Sequence, residues 1–348
     1  MKKVFSALLA VLMLAGILAG CTNSSDVPTV STTAAANTAA SQTEVPAHTK
    51  ISIVTTIFPE YDWVREILGD QTGSAEITML LDNGVDLHSY QPTADDIVKI
   101  SDCDLFVYVG GESDGWVEDA LKEATNKNMK VINFLDVLGD SVKAEEVVEG
   151  MQEEEHGHED DNADEHDHEE EKDEHVWLSL KNAETLVGAI SDALQELDPD
   201  NKDTYAANAD AYGKKLSALD AEYQKAVSAG TYKTVLFGDR FPFRYLVDDY
   251  GLSYYAAFVG CSAETEASFE TVSFLARKVD ELKLPCVLTI EGAQHKIAET
   301  IVQNTAEKNQ KILTMDSMQS TTSKDVKNGT TYLSVMEKNL SVLKEALG

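Results

Sequence analysis

Positive charge is what this chain most lacks: 28 lysine and arginine residues stand against 61 aspartate and glutamate, a net charge of −33 at pH 7. Nucleic acid wants a basic face, and this composition excludes such a partner. Cysteine is scarce at four residues, so the fold cannot be a disulfide scaffold. Beyond the extreme N-terminus no apolar run is long enough to span a bilayer. The His-Glu-x-x-His signature of a zinc hydrolase is also missing, and with it the natural sign of an enzyme. Glu291 ahead of His295 is the nearest imitation of a general base beside a ligand, so a secreted zinc hydrolase is the weakest reading.

What is present is histidine in an acidic setting. Five of the eight histidines fall between Glu153 and His175. Neutral imidazole is the commonest protein ligand for zinc, and carboxylates at this density concentrate cations. From Glu145 to Glu174 there are 17 acidic residues and one lysine, which leaves a net −17 for the rest of the chain, so the body is acidic in its own right. The stretch has almost nothing apolar to bury and is expected to be a mobile loop. Its pairs His156/His158 and His166/His168 can chelate an ion weakly, which predicts a collector or sensor with the tight site elsewhere.

The N-terminus gives the compartment. Lys2 and Lys3 precede an apolar stretch from Val4 to Leu18 that ends Leu18-Ala19-Gly20-Cys21. This is the pattern of an export signal closed by a lipobox, with Cys21 lipidated as the first mature residue. Two acyl chains on that cysteine hold a protein stably on a membrane, here its outer face. Residues 1–21 are therefore read as a lipoprotein signal and residues 22–49, rich in Ser, Thr and Ala, as a flexible tether.

The remainder is long enough for two domains with real cores. Strands are expected at Ile51–Thr55, Ala75–Leu81, Leu105–Val109 and Lys130–Phe134, with helices between them, including one over Trp116–Ala124. The pattern turns helical from Ala183, breaks at Asp198-Pro199-Asp200, and resumes as one long helix over Lys202–Ala229. Alternation then returns, with strands at Thr234–Phe237, Tyr254–Phe258, Val287–Ile290 and Lys311–Met315. Helices are expected at Arg244–Tyr250, Phe269–Leu282, Lys296–Gln303 and Tyr332–Leu347. The fold class is α/β: two similar parallel-sheet lobes, residues 50–199 and 230–348, joined by one rigid helix at 200–229, with the acidic loop at 145–174.

Ligands of open parallel sheets sit beyond the carboxyl ends of the strands. The residues following each predicted strand include His88, His175, Asp239, Cys261, Glu291, His295 and Asp316. A lone histidine ahead of a helix is usually a cap or a core residue. Several donors converging on one cleft are the stronger signal. Cys103 and Cys286 read as core positions and the role of Cys261 stays open; spacing does not settle whether any pair is bridged.

His88-Ser89-Tyr90-Gln91-Pro92-Thr93, the His-rich insertion, and His175-Val176-Trp177-Leu178 with Asn182-Ala183 together resemble the zinc- and manganese-type solute-binding lipoproteins of bacterial ABC importers. Gly260-Cys261-Ser262-Ala263-Glu264-Thr265-Glu266 and Lys296-Ile297-Ala298-Glu299-Thr300 support the likeness, which runs from Ile51 to the C-terminus. The resemblance implies a divalent metal in the inter-lobe cleft, delivery to an ABC permease, and a monomer. It carries two ligands onto His88 and His175 and a fourth onto Asp316. Its third ligand falls on Gly238, which has no side chain, so Asp239, His295, Glu291 or a water is expected instead. Imidazole donors favour zinc over manganese. The rival from another class is a surface adhesin with a structural metal.

Overall fold

The computed structural model describes residues 50–152, 171–262, 266–292 and 295–348. Cys21, the tether, and His156, His158, His166 and His168 lie outside the described residues. No helix among the described residues is long and apolar enough to cross a membrane.

Two sheets of four parallel strands form the frame. In the first, β1 (Ile51–Thr55), β2 (Ala75–Met79), β3 (Leu105–Tyr108) and β4 (Lys130–Asn133) lie in the order β2-β1-β3-β4. In the second, β5 (Thr234–Phe241), β6 (Ser253–Val259), β7 (Cys286–Thr289) and β8 (Lys311–Thr314) lie in the order β6-β5-β7-β8. The two lobes thus share one topology. Central strands such as Ile51-Ser52-Ile53-Val54-Thr55 are rich in β-branched residues because parallel sheets are covered on both faces.

Helices in the first half are α1 (Phe58–Leu68), α2 (Ala94–Asp102), α3 (Val117–Lys122), α4 (Phe134–Leu138) and α5 (Leu180–Leu197). Each starts where a local signal allows. Thr93 and Asp96 form a capping box on α2, and the Ser179 hydroxyl accepts the Asn182 N–H at 3.1 Å to open α5. The connector is α6 (Lys202–Ala229), whose 28 residues span about 42 Å at 1.5 Å per residue. The second half adds α7 (Arg244–Tyr250), α8 (Phe269–Leu282), α9 (Lys296–Asn304), α10 (Ser323–Lys327) and α11 (Tyr332–Leu347).

One continuous apolar core runs through both lobes, and a smaller one lies under α8 and α9. The lobes are also tied by buried hydrogen bonds. Trp177 Nε1 donates to the Ser317 carbonyl at 2.8 Å, Tyr332 Oη to the Trp177 carbonyl at 2.6 Å, and the Tyr332 N–H to Asp62 at 2.8 Å. Each buried Phe-sized side chain in such a core contributes about 1.5–3 kcal/mol.

Three expectations are corrected. Phe134 opens α4 and does not end β4: the Asn133 side chain accepts the Asp136 N–H at 3.2 Å and turns the chain into helix. The helix expected over Trp116–Ala124 is only Val117–Lys122. Strand β5 continues past Phe237 to Phe241 through a bulge between Phe237 and Arg240, which re-aims the residues that follow.

Candidate metal centre

His88 and His175, 87 residues apart in the chain, meet with their Nε2 atoms 3.1 Å apart. His88 sits on a short 3-10 turn, Leu87–Ser89, after β2; Asp86 opens that turn by accepting the His88 N–H at 3.1 Å. His175 precedes a second such turn, Val176–Leu178, and is fully buried.

The far side of each ring is held. His175 Nδ1 donates to Asp173 Oδ1 at 3.0 Å, and its backbone N–H reaches the same oxygen at 2.9 Å. Asp173 is fixed in turn: its N–H donates to the Lys143 carbonyl at 2.9 Å, and its own carbonyl accepts Tyr245 Oη at 2.8 Å. His88 Nδ1 lies 2.8 Å from Ser113 Oγ and 3.5 Å from Glu174 Oε2. The other Glu174 oxygen accepts the Ser113 N–H at 2.8 Å. Carboxylate and hydroxyl partners of this kind orient an imidazole through one nitrogen and leave the other free to coordinate.

Two glycines make the approach possible. Gly111 has φ +86°, and a Cβ there would lie 2.4 Å from Glu174 Oε1. A Cβ on Gly260 would lie 2.8 Å from His175 Cε1, so the loop after β6 packs its backbone directly on the ring.

Charge is divided unevenly between the rings. Burial, and then the neighbouring His175, push His88 down to about 3, which keeps it neutral. Burial also disfavours charge on His175, but the Asp173 carboxylate, with Glu174 and Glu145, outweighs it and holds the ring above its ordinary value. Glu174 Oε2 is buried and makes no hydrogen bond among the described residues. A proton on His88 Nδ1 would face it as soon as Nε2 gave its lone pair to a metal.

Cys261, on the loop after β6, completes the one group of three candidate donors among the described residues: one atom each from His88, His175 and Cys261, all within 4.8 Å of one another. Its N–H donates to Glu145 Oε1 at 3.0 Å, and burial, followed by Glu145, raises its thiol well above the usual range. Arg240, just past the β5 bulge, spans the loops that carry these donors. Its Nη2 donates to Asp86 Oδ2 at 2.6 Å and its Nη1 to the Ser262 carbonyl at 3.2 Å.

Asp239, Glu291, His295 and Asp316 lie outside that group. Three of them are occupied in shaping strand ends. Asp239 accepts the N–H groups of Arg240 at 2.9 Å and Ile290 at 3.3 Å; Glu291 takes the Ser317 N–H and hydroxyl, both at 2.7 Å. Asp316 accepts the Met318 N–H at 2.8 Å. His295 has a buried Nδ1 without a hydrogen bond among the described residues. A Cβ on Gly238 would lie 2.6 Å from Ala298 Cα, so the packing of α9 on β5 bars any ligand there. Sequence reasoning passed over Ser113, Asp173, Glu174 and Arg240 and left Cys261 open. A Gly-Cys pair straight after a strand was the available signal.

Ser113 also stands in a Gly-x-Ser-x-Gly spacing, residues 111–115. In a nucleophile elbow the serine sits on a strained strand-to-helix turn. Ser113 is not among the residues with positive φ, and it meets His88 Nδ1, the ring nitrogen other than the one that approaches His175. The geometry is that of an orienting hydroxyl.

The family model for ZnuA, zinc-uptake complex component A, periplasmic, matches residues 53–346. Zinc-binding lipoprotein AdcA of Streptococcus pneumoniae is 34% identical over 296 residues, 85% of this chain and 56% of AdcA, so this chain spans little more than half of that relative. The high-affinity zinc uptake system protein ZnuA of Bacillus subtilis is 30% identical over 298 residues, covering 86% of this chain and 88% of that protein. The crystal structure of the Zn(II)-bound ZnuA-like domain of pneumococcal AdcA superposes with a TM-score of 0.65 at 32% identity, covering 86% of this chain and 99% of that one.

Proposed function

As a member of the zinc-uptake complex component A family, this chain is, we propose, an extracytoplasmic receptor that captures one zinc ion and hands it to an ABC permease. The observation that carries the reading is the 3.1 Å approach of the His88 and His175 Nε2 atoms. Two nitrogens on one tetrahedral zinc stand about 3.3 Å apart, given Zn–N near 2.0–2.1 Å. The pair is therefore spaced for a metal before any metal arrives. Neutral His88 and the Asp173-backed His175 supply the lone pairs.

Zinc is cargo here and undergoes no chemistry. The filled seam between lobes and the stiff α6 limit closure to a small rocking, and the loaded lobes dock on the permease. Cys21 carries the lipid that keeps the receptor on the outer face, and the receptor acts as a monomer. His156, His158, His166 and His168 collect metal weakly and raise its local concentration.

Calorimetric titration tests this. His88→Ala and His175→Ala each lose tight zinc binding, while removal of residues 153–170 abolishes weak extra sites and keeps the tight one. Parental affinity in both histidine variants would sink the assignment. Manganese, which prefers oxygen donors, is expected to bind far more weakly.

A further inference from the structure

We propose that Cys261 is a zinc ligand, bound as the thiolate, so that His88, His175 and Cys261 form a two-nitrogen, one-sulfur site. The inference rests on the zinc-receptor reading above and names a donor on which that reading is silent.

Four observations carry it. Cys261 is the only further donor among the described residues that groups with the two histidines, one ring nitrogen from each and the sulfur all lying within 4.8 Å of one another. Donor atoms around a tetrahedral zinc with one sulfur stand about 3.3–3.6 Å apart, so a shift on the order of an ångström closes the site. Gly260, the residue before it, lies so close to the His175 ring that even a methyl group would collide, which fixes the Cys261 loop against that imidazole. The carboxylates at the ends of β5, β7 and β8 are bound to backbone N–H groups, and Gly238 is walled off by Ala298.

Arg240 supplies the fourth observation. Its guanidinium is held between Asp86, beside His88, and the carbonyl of Ser262, beside Cys261. That strap holds the loop carrying Cys261 to the turn carrying His88. Binding exchanges the S–H bond for a Zn–S bond and releases the proton to water. The fourth coordination position then falls to water or to a donor that arrives on closure, and an open position is one from which a carrier can surrender its cargo. Thiolate softness turns the site toward zinc and away from manganese.

Cobalt(II), which replaces zinc in such sites, reports sulfur directly through thiolate-to-metal charge-transfer absorption in the near ultraviolet. The full chain titrated with cobalt(II) should show that band; Cys261→Ser should lose it, and Cys286→Ala, altering a buried strand cysteine, should retain it. Zinc affinity of Cys261→Ser should fall by more than about tenfold, a loss that even an outer-sphere partner can cause. Should Cys261→Ser misfold, the cobalt spectrum of the unmodified chain still decides the matter. Absence of the band, with zinc affinity unchanged in Cys261→Ser and lost in His88→Ala, overturns the cysteine ligand and leaves the receptor standing. Unchanged zinc affinity in His88→Ala and His175→Ala overturns both.

Discussion

Asp86 and Arg240 are joined at 2.6 Å across the two lobes, and the other Asp86 oxygen accepts the N–H of His88 at 3.1 Å. One carboxylate therefore links the guanidinium of the second lobe to the turn that presents the first imidazole. Arg240→Ala removes this strap together with the hold on Ser262, and zinc affinity is expected to fall about 10–100-fold, the range for lost orienting partners. Arg240→Lys keeps the charge but not the fork, so it should lie between. Competition with a chelator of known affinity measures both. An Arg240→Ala protein with parental affinity would show the strap to be idle.

Asp173 raises the basicity of His175 as well as orienting it. In the proposed site proton and zinc compete for the same Nε2, and because the ring is held above its ordinary value, that competition sets in at a higher pH than it would for a free imidazole. Zinc affinity should therefore drop as pH falls through that raised value. Asp173→Asn lowers the ring's basicity: affinity at pH 8 declines by about 10–100-fold, and the pH profile flattens between 6 and 8. Titrations across that range check both effects together, and a profile as steep as the parent's would exclude the carboxylate as the cause.

Gly260→Ala places a methyl 2.8 Å from His175 Cε1 and 3.0 Å from the Phe241 carbonyl. Neither a buried ring nor a strand carbonyl can yield cheaply, so overpacking should cost about 1–3 kcal/mol of stability. The displaced imidazole should also bind zinc less well. Denaturant unfolding of the metal-free protein and calorimetry of the same sample measure the two losses separately; a fully stable variant with normal affinity would contradict the packing described.

Asp62 offers a test away from the metal. Burial lifts its carboxyl from 3.8 to about 6, against the favourable N–H of Tyr332. The folded value lies above the unfolded one, so the fold favours the protonated form. Below about pH 4 both states are protonated and the cost is absent; it grows as pH rises to 6 and is then constant, at roughly 3 kcal/mol as an upper figure. Asp62→Asn, which keeps an acceptor for Tyr332, should be the more stable protein at pH 7 and lose that slope between pH 4 and 6. Melting curves at pH 4 and pH 7 decide it by the difference between variant and parent.

Much of the frame was legible without coordinates because its causes are local. The span Lys202–Ala229 was readable from proline and aspartate at one end, glycine at the other and apolar periodicity between. Arg244–Tyr250, Phe269–Leu282 and Tyr332–Leu347 likewise coincide with their periodic stretches. Short α4 and α10 escaped because five residues hold too little periodicity to register. Looking beyond strand ends brought His88 and His175 into view, since parallel sheets direct their loops to one edge.

The amino-acid order alone determined two parallel-sheet lobes, a stiff connector between them and two histidines in the segments that follow strands, all consequences of patterns within a few turns of chain. Tertiary structure alone decided which donors share a space. The bulge in β5 turned Arg240 toward Asp86, α9 closed off Gly238, backbone N–H groups engaged the carboxylates, and bare Gly260 brought Cys261 beside His175. Those outcomes depend on contacts between segments far apart in the chain, where steric fit at the ångström scale outweighs any local preference.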